Sequence, residues 1–264
     1  MRFTKMHGLG NDYLYVYGDA PENVSELSVK LSDRHFGAGA DGMIYISESD
    51  IADFKMRMFN ADGSEGKMCG NGIRCVGKYV YDRGYTEKTH LDIETASGIR
   101  HLELHIADGK VESVTVDMGI AEVSAVSRLT VQGQEVVFTP VSVGNPHAVI
   151  FTDNAEEAPV TELGPAIERH ETFPDGVNVE FIQVLSENEL RMRVWERGSG
   201  VTMACGTGAC AAAAAAIPAG YCRYDQDIGV TLDGGTLKIR IGEHGEVLMS
   251  GPAEFVYEGE TLLC

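Results

Sequence analysis

Apolar and polar residues alternate along many short segments, as in β-strands with one buried face. The segments with this alternation, or with runs of β-type residues, are DFKMRMF, LELHIAD, VESVTVDM, HAVIFTD, VEFIQVL, ELRMRVW and TLKIRIG. The pairs Asp108-Gly109 and Gly234-Gly235 predict hairpin turns. Helical patterns are fewer, and we predict helices at about 72–83, 208–217 and 25–35. Many strands with few helices predict an α+β fold rather than a doubly wound α/β fold.

The chain contains one pattern twice, at an offset of about half its length. Residues 56–72 (MRMFNADGSEGKMCGNG) align without a gap with residues 192–208 (MRVWERGSGVTMACGTG). Arg-His, Asp-Gly and Gly-Asn pairs repeat in the same order, as Arg34-His35 with Arg169-His170, Asp41-Gly42 with Asp175-Gly176, and Gly10-Asn11 with Gly144-Asn145. These anchors predict an internal duplication and two similar domains, 1–116 with the C-terminal tail 252–264, and 117–251.

Composition and charge narrow the class of partner. The chain has 264 residues, 44% hydrophobic, which is enough for one large or two small domains. A formal net charge of −19 opposes binding to nucleic acid and to acidic membrane surfaces. The N-terminal segment MRFTKMHGLGNDY has no apolar stretch of the kind found in signal peptides, and no apolar run approaches about 18 residues. We therefore expect a cytoplasmic protein without membrane contact.

Two of the six cysteines, Cys69 and Cys205, have matched settings, each opening a Cys-Gly-x-Gly before a predicted helix. A helix N-terminus presents unpaired N–H groups and partial positive charge, which favours a thiolate and lowers the thiol pKa. The glycines let a ligand approach the backbone, and the same amides bind carboxylates. We therefore expect two reactive thiols with two sets of anion-binding amides.

Several chemistries use two cysteines. A zinc site favours C-x₂-C spacing and thioredoxin-type redox work needs C-x-x-C, and the sequence has neither pattern near these residues. Inversion of a chiral carbon needs one base on each face, a role that a thiol–thiolate pair fills. The twin setting favours this last reading, and the cysteine spacing argues against a metal site. We expect Cys75, Cys210, Cys222 and Cys264 to be structural.

The chain resembles the diaminopimelate epimerase family in the blocks KMHGLGNDY, FNADGSEGKMCGNG, CGNGIRC, GNPH and ERGSGVTMACGTGAC. The resemblance runs over nearly the whole chain. It implies two domains, each a mixed β-sheet curled round a central helix, with the active site between them. It also implies a homodimeric isomerase that needs no cofactor, pyridoxal phosphate included. This enzyme would interconvert LL- and meso-diaminopimelate in lysine and peptidoglycan precursor biosynthesis.

The resemblance assigns roles to particular residues. Cys69 resembles the proton donor and Cys205 the proton acceptor for one direction, while His147 and Glu196 match residues that tune the thiol pKa. Arg197 is a natural partner for the distal carboxylate, and Tyr257 matches a dimer contact. The positions that match the substrate-binding set are Asn11, Asn60, Gly70, Asn71, Asn145, Asn178, Glu196, Arg197, Gly206 and Thr207.

Two other functions remain open from the sequence. A proline or hydroxyproline racemase of the same fold also pairs two cysteines, but usually has His where Asn71 stands and lacks the Glu196-Arg197 pair. A thiol redox or binding protein would need no substrate. One departure from the family concerns Gly42, where some members have Gln, so a contact from that side chain is absent or supplied elsewhere.

Overall fold

A computed structural model describes residues 1–262, so Cys264 lies outside the described residues. The helices are α1 (Val24–Ser32), α2 (Gly70–Asp82), α3 (Val160–Glu168) and α4 (Gly206–Ala216). The strands are β1 (Arg2–Gly8), β2 (Asn11–Tyr17), β3 (Gly42–Ser47), β4 (Phe54–Asn60), β5 (Glu65–Gly66), β6 (His90–Thr95), β7 (Gly98–Ala107), β8 (Lys110–Ile120), β9 (Glu122–Val123), β10 (Ser127–Val131), β11 (Gln134–Ser142), β12 (Pro146–Phe151), β13 (Asn178–Ser186), β14 (Glu189–Glu196), β15 (Gly200–Val201), β16 (Asp227–Leu232), β17 (Gly235–Ile241), β18 (Glu246–Pro252) and β19 (Glu254–Glu260).

The chain divides into two compact units. The first contains Met1–Val116 and the segment that begins at Gly251, and the second is Asp117–Ser250. The chain passes from one unit to the other within β8 and again within β18. No helix in the described part of the chain combines the length and apolar character needed to cross a membrane.

Both units have the same order and sense of strands. In the first unit the order is β19-β1-β2-β3-β4-β6-β7-β8, and in the second it is β10-β11-β12-β13-β14-β16-β17-β18. The pairs β2–β3 and β4–β6 are parallel, as are β12–β13 and β14–β16, and the other neighbours in these orders are antiparallel. Each unit is thus a mixed sheet of the kind that the internal repeat predicts.

Each sheet packs around one buried helix. Helix α2 contacts β1, β2 and β7, and every residue from Gly70 to Val80 is buried. Helix α4 contacts β11, β12, β13, β14, β16 and β17, and its alanine run Ala211–Ala216 is buried throughout. Alanine favours helix, and its small side chain lets strands approach on all sides. The predicted pattern of a sheet curled round a central helix is therefore confirmed in each unit.

Two local features differ from the sequence expectation. The sequence did not predict α3, a short helix with Pro165 inside it. It is held by packing, since Val160 and Ile167 are buried against the core of the second unit. The second hairpin turn is centred on Asp233-Gly234 rather than Gly234-Gly235, because Leu232 pairs with Gly235.

Candidate functional site

Cys69 and Cys205 occupy the same structural position in their respective units. Each is the N-cap of the central helix, with an extended backbone conformation. The Sγ of Cys69 accepts a hydrogen bond from the Gly72 amide at 3.4 Å, and that of Cys205 accepts one from the Gly208 amide at 3.3 Å. A sulfur atom thus occupies the place that Ser or Asp usually takes at a helix start, where unpaired N–H groups meet an acceptor.

The surroundings of Cys69 come from β2 and the start of α2. Its thiol donates to Oδ1 of Asn11 at 3.3 Å, while Nδ2 of Asn11 donates to Oδ2 of Asp41 at 2.8 Å. Tyr13 is hydrogen-bonded to Cys69, and burial followed by the charge of Cys69 raises the pKa of its phenol well above the ordinary value. The sequence analysis placed Asn11 in the site but missed Tyr13, which is buried in β2.

Arg74 is a second residue that the sequence analysis missed. Its side chain is fully buried inside α2, and its guanidinium donates to Oδ1 of Asn71 at 3.1 Å and to the carbonyl of Gly70 at 3.2 Å. It also donates to the carbonyl of Pro252 at 3.2 Å. Buried arginines require such partners. The position of Arg74 in the segment GNGIRC, beside apolar residues, is the sequence signal that could have indicated its burial. Arg74 fixes the Asn71 side chain at the start of the helix.

Cys205 is buried, and its electrostatics overturn one expectation. Burial, followed by the charges of Glu196 and Glu180, raises the thiol pKa well above its ordinary value. The hydrogen bonds that Cys205 makes with the Gly208 amide and with Thr207 act in the opposite direction but do not compensate. The prediction of a lowered pKa is therefore wrong for Cys205, because the sequence could not show how deep this cap lies or that two carboxyl groups lie near it.

Glu196 ends β14 next to this thiol. Burial raises the pKa of its carboxyl, while hydrogen bonds with Thr202 and Cys205 act to lower it. A thiol and a carboxyl group, each with a raised pKa, are therefore in direct contact. A carboxylate hydrogen-bonded to a thiol is placed to accept its proton.

Asn145, His147 and Thr207 form a connected polar group beside Cys205. Nδ2 of Asn145 donates to Oγ1 of Thr207 at 3.3 Å, and Thr207 Oγ1 lies 3.7 Å from Sγ of Cys205. Nε2 of His147 lies 3.1 Å from Oδ1 of Asn145. Gly206 is buried in the first turn of α4 next to Thr207. Four of the predicted positions therefore meet around one thiol.

Asn178 and Arg197 are linked to each other. The amide of Arg197 donates to Oδ1 of Asn178 at 2.8 Å, and the Arg197 guanidinium donates to the carbonyl of Asp175 at 2.9 Å. Arg197 is exposed, so its guanidinium has further donors available. In the first unit Asn60 ends β4, and its Nδ2 donates to Oγ of Ser64 at 3.0 Å.

The remaining described cysteines lie in the cores. Cys75 and Cys210 are buried within α2 and α4, and Cys222 is buried beyond the end of α4. Burial raises the pKa of Cys75 and of Cys222 to about 11. Within residues 1–262, no group of three His, Cys, Asp or Glu side chains is arranged to hold a metal ion.

Sequence comparison identifies one family over most of the chain. A family model described as "Diaminopimelate epimerase" matches residues 3–124 and 139–256. Proteins named diaminopimelate epimerase are 51% identical in Bacillus licheniformis, over 99% of this chain and 98% of that protein, and 49% identical in Acetivibrio thermocellus, over 99% and 98%. One from Methanococcus maripaludis is 49% identical over 98% of this chain and 99% of that protein.

Solved structures share the fold at lower identity. A hydroxyproline epimerase from Agrobacterium vitis with bound trans-4-hydroxy-L-proline has a TM-score of 0.73 at 18% identity, covering 98% of this chain and 91% of that chain. A phenazine biosynthesis protein of the PhzF family from Bacillus anthracis has a TM-score of 0.75 at 17% identity, covering 100% and 99%. These likenesses confirm the predicted fold class. Together with the extensive sequence match, they lead to one assignment: the chain belongs to the diaminopimelate epimerase family.

Proposed function

We propose that this protein interconverts LL- and meso-2,6-diaminopimelate by two-base proton transfer at Cα, without a cofactor, in lysine and peptidoglycan precursor biosynthesis. One observation carries the proposal. Two equivalent units each place a cysteine at the start of a buried helix, as Cys69 and Cys205. The substrate comes from the names of the relatives that are about half identical to this chain.

The reaction needs one proton removed and one delivered. In one direction the thiolate of Cys205 takes the α-proton, so that the Cα–H bond breaks and an S–H bond forms. The electron pair passes into the substrate carboxylate, and the thiol of Cys69 then donates its proton to the opposite face of Cα. The roles exchange in the reverse direction, so each cysteine serves as both acid and base.

Glu196 prepares Cys205 for this step. The thiol pKa is raised, so the neutral thiol predominates and a proton must leave before the sulfur acts as a base. Glu196 is hydrogen-bonded to Cys205, and its own raised pKa makes its carboxylate a better proton acceptor. Transfer from sulfur to carboxylate produces the thiolate without placing net new charge in the buried site.

The helix starts supply the carboxylate site. The amides of Gly70 and Gly206, with the side chains of Asn71 and Thr207, bind the reacting carboxylate and stabilise the charge that develops on it. Arg197 binds the distal carboxylate through its exposed guanidinium. The remaining binding positions, Asn11, Asn60, Asn145, Asn178 and Glu196, bind the two amino groups and the chain of the substrate.

The family resemblance also supports a homodimer in the cytoplasm. Tyr257 is 41% exposed and donates from its hydroxyl to the carbonyl of Ala38 at 3.0 Å, which leaves much of its ring available for a second copy. The net charge of −19 supports the absence of nucleic acid among the partners. Sedimentation equilibrium of the wild type and of Tyr257→Ala tests the dimer, which the variant should weaken.

Turnover of three amino acids tests the function. Purified protein is incubated under reducing conditions, with no added cofactor, with LL-diaminopimelate, L-proline or trans-4-hydroxy-L-proline, and the isomers are separated by chiral chromatography. We expect meso-diaminopimelate and no inverted proline. Inversion of proline or hydroxyproline alone would favour the racemase alternative. No inversion of any of the three by folded, reduced protein would favour a redox or binding role.

A further inference from the structure

A chain of polar contacts runs from a buried carboxyl group to Cys205, within the second unit. Nδ1 of His147 lies 2.6 Å from Oε1 of Glu180, and the opposite ring nitrogen, Nε2, faces Oδ1 of Asn145 at 3.1 Å. Asn145 then donates to Thr207, whose hydroxyl lies beside the thiol. Glu180 is the one member of this chain that the sequence analysis did not place in the site.

The direction of this chain requires a proton on Nε2 of His147. Oδ1 of Asn145 can only accept a hydrogen bond, so Nε2 must be the donor. A neutral imidazole with its proton on Nδ1 would leave Nε2 bare and turn the Asn145 amide around. Nδ1 and Oε1 of Glu180 must also share a proton, because two bare acceptors would repel each other at 2.6 Å. Glu180 either accepts this proton from the ring or, as a neutral carboxyl group, donates it to Nδ1.

The surroundings of Glu180 fit a buried carboxyl group at this position. The side chains of His147 and Glu180 are both fully buried. A Cβ atom on Gly208 would lie 2.9 Å from Oε1 of Glu180, so glycine in the first turn of α4 leaves room for the carboxyl group. The partial positive charge at this helix start favours a carboxylate there. Among the described residues Oε2 of Glu180 has no hydrogen-bond partner, so the group depends on its contact with His147.

We propose that Glu180 is a positioning residue that keeps the proton on Nε2 of His147 and so orients the Asn145 amide towards Thr207. The inference rests on the proposed function, in which Asn145 and Thr207 bind substrate beside Cys205. Two further titratable groups face this pair, Glu196 on β14 and Cys205 at the start of α4. On its two neighbouring strands His147 has Val141 and Asn178 opposite it, neither of which titrates.

Two substitutions of similar size separate positioning from packing. In Glu180→Met the buried Nδ1 loses its carboxyl partner and the ring is no longer fixed, so we expect KM for diaminopimelate to rise about tenfold with kcat within about threefold. In Glu180→Gln the side-chain amide donates to Nδ1 and leaves the proton on Nε2, so KM should stay within about twofold. Glu156→Gln, which changes an exposed partner of Arg191, is the matched control.

The protonation of the two nitrogens of His147 can be measured without turnover. This measurement is therefore independent of the test of the proposed function. Nitrogen-15 spectra of the wild type and of Glu180→Gln should show a proton on Nε2 of His147. A bare Nε2 in the wild type would overturn the proposal even if Glu180→Met fails to fold. A KM as high in Glu180→Gln as in Glu180→Met would also overturn it.

Discussion

The thiol of Cys69 lies 3.3 Å from Oδ1 of Asn11, and the amide nitrogen of that Asn11 donates to the carboxylate of Asp41 at 2.8 Å. Asp41 also accepts from the guanidinium of Arg34 at 2.9 Å. One amide therefore connects the first thiol to an ion pair. The orientation of Asn11, with its oxygen towards sulfur, follows from the carboxylate on its other side.

Asn11→Asp tests this connection. The variant replaces the donor to Asp41 with a second carboxylate oxygen, and the added negative charge also disfavours the thiolate of Cys69. We expect kcat/KM near neutral pH to fall at least about tenfold and the pH–activity profile to move to higher pH by about one unit. The control is Asn188→Asp, in a turn of the second unit where Asp tolerates the positive φ of 59°. An unmoved pH profile would contradict the role of Asn11.

Substitution of the two caps tests their chemistry. Cys69→Ser and Cys205→Ser keep a cap at each helix start but supply a hydroxyl that is far harder to ionise. We expect each to lower kcat at least about 100-fold while the unfolding midpoint stays close to that of the wild type. Cys222→Ser is the control, because Cys222 is buried but is not a cap. Comparable losses in all three variants would show that thiol burial rather than proton transfer matters.

Arg197 is expected to act on binding of the distal carboxylate. Its side chain is exposed, so Arg197→Ala should leave stability unchanged. We expect KM for diaminopimelate to rise about 100-fold, as for loss of a charge-assisted pair, with little effect on an analogue that lacks the distal carboxylate. Arg193→Ala is the control, because Arg193 lies in β14 just before Arg197 and faces Asp233. Equal losses with both substrates would argue against this role.

Asp12 gives the first unit a pH-dependent stability. Burial alone would raise the pKa of Asp12, but hydrogen bonds from Arg34 and Lys5 outweigh it and hold that pKa below its ordinary value. This stabilisation is present above the unfolded-state pKa of about 3.9 and is lost as pH falls through the lower folded-state pKa. We expect Asp12→Asn to lower the free energy of unfolding by about 2 kcal/mol at neutral pH.

Urea unfolding at several pH values measures this effect. The difference between the wild type and Asp12→Asn should shrink as the solution is acidified below about pH 4. Asp227→Asn is the control, since its ion pair with Arg240 is half exposed and should contribute less than about 1 kcal/mol. A difference that stays constant with pH would show that packing, not charge, is responsible.

The surroundings of Gly42 leave no room for a side chain. A Cβ atom there would lie 2.1 Å from the carbonyl oxygen of Phe59 and 2.9 Å from Cε1 of Tyr13. We expect Gly42→Gln to destabilise the protein by at least about 2 kcal/mol and to disturb Tyr13, and with it Cys69. Gly18→Gln is the control in denaturant titrations, because φ there is also positive, at 130°, but the added Cβ meets no atom within 4 Å. Similar unfolding midpoints for the two variants would refute the steric argument.

The sequence predicted the helices that carry the site because their signals are local. The Cys-Gly-x-Gly blocks mark the starts of α2 and α4, which the structure places at Gly70 and Gly206. Helix α3 escaped prediction because Pro165 and Gly164 disfavour helix locally, and burial of Val160 and Ile167 compensates only in the folded chain.

Part of the site depends on contacts that no local pattern records. Glu180 lies in the strand segment VEFIQVL, and nothing in that segment distinguishes it from an ordinary polar strand residue. Its role follows from the fold, which places its Oε1 2.6 Å from Nδ1 of His147. The direction of the Cys205 pKa shift likewise depends on burial and on two carboxyl groups that come from β13 and β14. Sequence spacing identified the thiol, but the charges around it are set by tertiary structure.

The central claim is that two different thiols act on the two faces of one carbon, and hydrogen–deuterium exchange tests it most directly. LL-diaminopimelate is incubated in D₂O with the reduced protein, and early samples are separated into substrate and product before proton NMR. We expect deuterium at Cα of the meso product and none in the recovered LL substrate, because the proton removed by one cysteine is not the one returned by the other. Deuterium in the recovered substrate at the same rate, or a product that retains its original proton, would contradict the two-base account.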